Sequence, residues 1–312
     1  MQTVTIIENY TGSASNVEAG PSNSAQGEAQ PTAQNQPDFV NEDFSHKQIQ
    51  FIGHGCYATV WKTTFNNQDI AVKAYRAEAD NAFVTELGVF DKVAHPNIIA
   101  CLGLTHTLHT FHYGILLELA DMTLTDYLYV AQNEDRDPKT CKKIGGDICK
   151  GLHFLHSRGF VHRDLKTDNI LLIQSENDEI TAKLSDFNIS LTTNDFMGPE
   201  EIPWHLPPED FPTRSHVKPS YDIPNLAFII WLLTTAEKTE IFTTYACLMI
   251  TLFRVDPRPY YPTVPETASP ELQAFVYQAL HAAPDRRPTS KAFVDVVTAP
   301  ETVFRALKQK LA

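Results

Sequence analysis

The sequence predicts an α+β chain in two parts, a small β-rich portion carrying one helix and a larger, mainly helical portion. Three observations predict it. Between residues 50 and 119, apolar runs bounded by Gly and Asn turns outnumber the one stretch with helical spacing. From about residue 123 the balance reverses and helical spacing dominates. Ahead of both, residues 1–44 are rich in Ser, Asn, Gln, Ala, Pro and Gly, and six acids precede the first basic residue, Lys47. Such a segment buries too little apolar area to offset the entropy of ordering it, so a disordered acidic tail is expected there.

The elements follow in order. Alternation through Gln50, Phe51 and Ile52, and again through Thr59, Val60 and Trp61, predicts two strands joined by a Gly turn. Asn66-Asn67-Gln68-Asp69 reads as the next turn, and Asp69–Tyr75 as a third strand. Phe83, Val84, Leu87, Phe90 and Val93 recur at helical spacing within 80–93. Strand-like runs follow at Ile98–Leu104 and Phe111–Leu119. The later part offers helices over Thr140–His156, from Ile223 with Asp222 as its cap and Pro224 in its first turn, over Pro270–His281 and over Thr289–Thr298. The expected division is thus a tail over 1–44 and a domain over 45–312, its smaller lobe about 45–120 and its larger lobe about 121–312.

Bulk properties exclude several classes. A chain of 312 residues that is 43% hydrophobic can bury one substantial core. A net charge of −13 argues against nonspecific nucleic-acid binding and against docking on acidic membranes. The longest apolar run, Leu226 to Leu233, falls well short of the ~18 residues of a membrane span and reads as a buried helix. The N-terminus lacks a signal peptide's basic start and apolar core. Five scattered cysteines without CxxC spacing indicate neither a zinc site nor a disulfide framework, so a reducing cytoplasm or nucleus is expected. Cys56 reads as a small loop side chain, and His106, His109 and His112 as hairpin histidines rather than metal ligands.

The most informative stretch is His162-Arg163-Asp164-Leu165-Lys166-Thr167-Asp168-Asn169, followed by the apolar run Ile170, Leu171, Leu172. One short loop there offers a carboxylate to a hydroxyl, an ammonium to a phosphate and an amide oxygen to a metal. Phosphoryl transfer needs this set, because it depends on positioning and charge neutralisation more than on covalent chemistry. The string resembles the catalytic loop of eukaryotic protein kinases. Other pieces resemble the same family in the same order. Ile52-Gly53-His54-Gly55-Cys56-Tyr57-Ala58-Thr59-Val60 is similar to its Gly-rich loop, with Ala58 where a third Gly is usual. Ala71-Val72-Lys73 resembles its lysine strand, and Glu86 its helix acid, nine residues before His95-Pro96-Asn97-Ile98. Leu116-Leu117-Glu118-Leu119-Ala120-Asp121 resembles the passage into its hinge. Ser185-Asp186-Phe187-Asn188 stands at its DFG position with Asn188 for Gly, a residue expected to hold a positive φ there. Pro207-Pro208-Glu209, Asp222 and Arg287-Pro288-Thr289 resemble the end of its activation segment and two structural supports.

The resemblance implies a two-lobed protein-kinase-like fold and an ATP-dependent protein kinase using Mg2+. It implies Asp164 as the residue that takes the hydroxyl proton and Lys166 as the cation on the migrating phosphate. Ile52, Gly53, Gly55, Val60, Ala71, Lys73, Glu86, Leu117, Glu118, Ala120 and Leu171 would serve ATP, with Leu117 as gatekeeper and Asp121 reaching ribose. Asn169 and Asp186 would hold the metal, and Glu209 would pair with Arg287. Lys166 resembles Ser/Thr kinases, and Trp204 resembles the tyrosine-kinase-like branch; Ile202 fits neither the Ser/Thr nor the tyrosine pattern. Partners implied are ATP and a protein substrate, without nucleic acid or membrane. Two alternatives stand beside this reading. One is an ATP-binding pseudokinase acting as a scaffold, suggested by Ala58, Asn188 and Ile202. The other is a small-molecule phosphotransferase, against which Glu209, Asp222 and Arg287 argue. Arg163 beside Asp164 further suggests that a phosphate on Ser190, Thr192 or Thr193 orders the following segment.

Overall fold

The computed structural model describes residues 44, 48–108, 111–130, 136–197, 215–234, 268–281 and 283–304. The chain divides into two compact units. One takes in the residues through Ala94 together with Ala100–Leu119; the other takes in His95–Ile99 and the residues from Ala120 onward.

Among the described residues, the first unit is a five-stranded antiparallel sheet with one long helix. Its strands are β1 (Gln50–His54), β2 (Ala58–Phe65), β3 (Gln68–Tyr75), β4 (Cys101–Leu108) and β5 (Phe111–Glu118), in the spatial order β1-β2-β3-β5-β4. The turn between β2 and β3 is narrower than the expected four residues. Asn66 and Asn67 both take left-handed φ, 50° and 62°, and Phe65 pairs directly with Gln68. Two positive-φ residues between strands match the twist of the hairpin, and Asn tolerates that conformation. Central β3 is buried from Ile70 to Tyr75. One face of the sheet carries a cluster of Ile70, Val72, Ala74 and Leu116, and Phe44 packs onto it fully buried. Phe44 fell at the end of the acidic segment by composition; the core reaches back to it, because one phenylalanine covers more apolar area than its polar neighbours can dilute. Helix α1 (Asp80–Phe90) buries Phe83, Glu86, Leu87 and Phe90.

The strand expected over Ile98–Leu104 begins instead at Cys101. Asn97 to Ile99 pair with Leu184 of the second unit: the Leu184 N–H donates to Asn97 O and the Ile99 N–H to Leu184 O, each at 2.9 Å. A short apolar run has no period that separates a strand from such a bridging segment.

The second unit is mainly helical: α2 (Leu124–Val130), α3 (Pro138–Ser157), α4 (Ile223–Thr234), α5 (Pro270–Ala279) and α6 (Ser290–Thr298). Helix α3 starts two residues before the expected Thr140, at a cap that the local chemistry explains. The Asp137 carboxylate accepts the Lys139 and Thr140 amides, and Pro138 occupies the first turn. Bonds from Thr140 hold the Asp137 carboxyl below its usual range. All twelve residues of α4 are buried, as its continuous apolar run implied. Thr289 caps α6 through the Ala292 N–H. Helix α3 packs against α4, α6 and β9 (Ile180–Leu184). Two of its glycines permit close approach. A Cβ on Gly151 would lie 2.5 Å from Asn97 O, and one on Gly145 2.9 Å from the ring of Phe304, itself buried. Short sheets complete the unit: β6 (Met122–Thr123) with β8 (Ile170–Gln174) and β9, β7 (Phe160–Val161) with β10 (Leu191–Thr192), and β11 (Phe196–Met197) with β12 (Ser215–His216). No helix among the described residues is long and apolar enough to cross a membrane.

Candidate active site

Each unit holds one constellation of its own. In the first, β3 places Lys73 and α1 places Glu86, and the Lys73 ammonium donates to Glu86 Oε2 at 2.5 Å. Both are buried. A buried carboxylate requires such pairing, since an uncompensated charge there is costly. Gly53 and Gly55 flank the turn between β1 and β2. Neither takes a positive φ, so backbone strain does not explain them. A Cβ on Gly53 would meet nothing within 4 Å, which leaves the strand open to an approaching ligand. Ile52 stands exposed beside it, and Val60 is half-buried on β2. On the strands behind, Ala71 and Leu117 are opposite each other and buried. The Glu118 N–H is taken by Ala100 O at 3.1 Å, and its carboxylate accepts the Ala100 N–H at 2.7 Å.

The second unit carries the catalytic-loop residues. Asp164 Oδ2 accepts Lys166 Nζ at 2.8 Å and Asn169 Nδ2 at 2.9 Å, and the same amide nitrogen donates to Asp164 O at 2.7 Å. Burial works to lower the Lys166 pKa, but the carboxylates of Asp164, Asp186 and Asp168 outweigh it, and the net shift is upward. The ammonium thus stays charged. His162 is buried behind the loop. The Asp164 N–H donates to its Nδ1 at 3.2 Å, which leaves the ring proton on Nε2 for Ser185 O at 3.0 Å. Ser185 also bonds Asn169 O through its amide and hydroxyl. Three bonds therefore tie the residue before Asp186 to the catalytic loop. Leu171 follows on β8, half-buried, and Ala120 opens this unit, also half-buried.

Asp222 anchors the loop from beneath. Its Oδ2 accepts the His162 N–H and faces His156 Nε2, and its Oδ1 accepts the Arg163 N–H, all at 2.8 Å. Burial alone would raise this carboxyl's pKa, but the bonds to His156 and the loop amides prevail and lower it. The side chain expected to cap α4 is thus committed to the loop instead. Arg163 takes a φ of +67°. Its guanidinium donates to Ile189 O at 2.8 Å and reaches Met197 Sδ at 3.2 Å.

Several expectations need correcting. Asn188 does not hold a positive φ; Asp186 does, at +65°. The left-handed residue sits two positions earlier, so the turn makes no demand for glycine at 188. Asp121 accepts the Gln174 N–H through Oδ2 at 2.7 Å, and its own N–H donates to Leu172 O at 3.0 Å. It ties off β8 rather than standing ready for a ribose. Ser190 is buried and donates its hydroxyl to His162 O, while the Thr192 hydroxyl donates to Asp195. Arg287 is buried and donates to His281 O and Ser220 O. Its expected partner Glu209 lies outside the described residues, as do Ile202, Trp204 and His109.

Sequence reasoning missed some supporting residues. His156, Ser290, whose hydroxyl lies 3.0 Å from His156 Nδ1, and Ser185 carry no signal beyond being polar near an apolar run. Tyr75 had one, its position two residues past Lys73 on the same strand face.

Among the described residues, no group of three or more His, Cys, Asp or Glu is arranged around a common metal position. The donor set still suits a hard cation. Asn169 Nδ2 is spent on Asp164, which turns its Oδ1 toward other partners, and Asp186 adds a carboxylate.

Residues 46–297 match the protein kinase domain. The chain belongs to that family. Its relatives include the serine/threonine-protein kinase STY46 of Arabidopsis thaliana, 24% identical over 81% of this chain and 43% of that protein. The Arabidopsis serine/threonine/tyrosine-protein kinase HT1 is 25% identical over 84% of this chain and 68% of that protein. A probable serine/threonine-protein kinase of Dictyostelium discoideum, gdt4, is 29% identical over 49% of this chain and only 9% of its own length. The chain therefore spans less than half of gdt4 and of STY46.

Proposed function

We propose that this chain is an ATP- and magnesium-dependent protein kinase that phosphorylates serine or threonine hydroxyls. The observation that carries the reading is the state of Asp164. Its carboxylate is held by Lys166 and Asn169, on a loop whose backbone is fixed by Asp222. A carboxylate so oriented accepts the proton of a substrate hydroxyl as that oxygen attacks the γ-phosphorus and the bond to the β-phosphate oxygen breaks, leaving ADP. Lys166 neutralises the phosphoryl oxygens as charge spreads over them. Lys73, fixed by Glu86, holds the remaining phosphates, with Gly53 and Gly55 giving backbone access. Ile52, Val60, Ala71, Leu117 and Leu171 supply apolar contacts for the base, and the backbones of Glu118 and Ala120 its hydrogen bonds. Asn169 and Asp186 would hold magnesium, which supplies charge neutralisation on the phosphates.

Of the departures that suggested a scaffold, two lose their force. Ala58 is buried at the start of β2, and neither it nor Asn188 sits where φ demands glycine. The names of the relatives favour Ser/Thr specificity, and one names both Ser/Thr and tyrosine.

The test is phosphate transfer from radiolabelled ATP to a peptide array, with nucleotide binding measured in parallel. Asp164→Asn should lose at least about a thousandfold in transfer while keeping Mg·ATP binding within a few fold. Asp186→Asn should weaken magnesium-dependent binding as well. Wild type that binds ATP yet labels no peptide and not itself would overturn the reading in favour of a scaffold.

A further inference from the structure

The Lys73–Glu86 pair has a third member. Tyr75 lies two residues beyond Lys73 on β3, on the same strand face. Its hydroxyl donates to Glu86 Oε2, the oxygen that also receives Lys73. Tyr75 and Glu86 are both fully buried, and Lys73 Nζ stands 5.4 Å from the Tyr75 ring centroid. The tyrosine is fixed by more than this bond. Phe83, one turn ahead of Glu86 on α1, meets its ring edge-on at 5.4 Å and stacks on Tyr113 of β5 at 5.2 Å. Ring and hydroxyl therefore grip the same face of the same helix. Glu86 Oε1, by contrast, is buried with no hydrogen-bond partner among the described residues.

We propose that Tyr75 is a positioning residue: it is a second tether on Glu86 that holds α1 and keeps the buried carboxylate satisfied when the Lys73 ammonium turns to nucleotide phosphates. The physical reason lies in the inequality of donors and charge. Lys73 alone would have to serve a buried carboxylate and a phosphate together. A carboxylate at zero exposure loses much when its one donor is shared. The Tyr75 hydroxyl gives Glu86 a donor that no ligand withdraws, and its neutrality leaves the whole lysine charge for the phosphates. With two donors on Oε2 and none on Oε1, the carboxylate can rotate to give each donor its own oxygen. This inference rests on the kinase reading for its nucleotide, but the tether itself is a property of the first unit.

The experiment is a double-mutant cycle. Mg·ADP binding is measured by calorimetry for wild type, Tyr75→Phe, Glu86→Gln and the double variant, together with kcat and KM for wild type and Tyr75→Phe. Amide exchange across Asp80–Phe90 is followed without nucleotide. Deleting the hydroxyl should weaken Mg·ADP binding about tenfold and raise the KM for ATP to match, with peptide KM unchanged. Amides of α1 should exchange about tenfold faster, while those of β2 do not change. In the Glu86→Gln background the same deletion should cost less than about twofold. An equal loss in both backgrounds would make Tyr75 an ordinary core ring and overturn the proposal, as would unchanged binding or unchanged α1 exchange. Should wild type bind no Mg·ADP, the kinase reading fails on its own, and exchange still tests the tether. Should Tyr75→Phe not fold, Glu86→Gln reads the tether from its other end, and wild-type exchange there sinks it.

Discussion

The Asp222 carboxylate holds two consecutive amides of the catalytic loop, those of His162 and Arg163, each at 2.8 Å. Because Arg163 takes a φ of +67°, the loop needs an external anchor to keep that conformation. Asp222→Ala would strand two buried N–H groups and is expected to destabilise the protein by about 3–5 kcal/mol. Denaturant unfolding checks it, and a loss under about 1 kcal/mol would mean that water replaces the carboxylate.

The same residue sets an acid limit. Its folded pKa lies below the ordinary range of an aspartate carboxyl. Its contribution is therefore fully present above that range and is lost as pH falls through the lower, folded value. Thermal unfolding of wild type should drop more steeply below about pH 4 than that of Asp222→Asn.

Asn188 should tolerate substitution. Asn188→Gly and Asn188→Ala are both expected to keep transfer activity within about twofold and stability within about 1 kcal/mol, since no left-handed residue is required there. A loss of activity only in the alanine variant would restore the idea that this position visits positive φ.

Gly151→Ala tests the approach of α3 to Asn97. Helix propensity favours alanine by about 1 kcal/mol. The methyl would nevertheless sit 2.5 Å from a backbone carbonyl. Backbone cannot yield as a flexible side chain can, so the clash decides the sign, and a net loss of about 1–3 kcal/mol is expected. A stabilised variant would show that the segment around Asn97 shifts freely.

Phosphate on Ser190 or Thr192 should matter little. Arg163 already engages Ile189 O and Met197, Ser190 is buried and Thr192 is bonded to Asp195. Activity unchanged after phosphatase treatment, with removal verified by mass spectrometry, is the expected outcome.

Much of this was legible in the residues. The turn at Asn66-Asn67, the helix read over Thr140–His156 and the buried run of α4 each follow from local chemistry, though the turn is two residues narrower and the helix starts two residues earlier than read. The kinase motifs were readable because each puts a chemically distinctive residue at a fixed place in the order. What stayed hidden was partnership over distance. Nothing in the neighbourhood of Asp121 announces that its carboxylate goes to the Gln174 N–H. For Asp222 the family resemblance implied a support of the catalytic loop, but not which two amides its carboxylate holds. The position of the left-handed residue was misjudged for a related reason: a turn's composition says that one residue bends backward, but the surrounding bonds choose which.

The two buried phenylalanines at the ends of the described chain bear on how this protein is cut for study. Phe44 precedes the matched kinase segment, 46–297, and Phe304 follows it. Each fills a place in its own unit that nothing inside the segment fills, one on the sheet and one against Gly145. A fragment trimmed to the homologous stretch would expose both gaps at once, each worth about 3–5 kcal/mol if it behaves like a deleted core phenylalanine. Likeness to relatives marks where ancestry can be traced; the buried core of each unit reaches one aromatic ring past it.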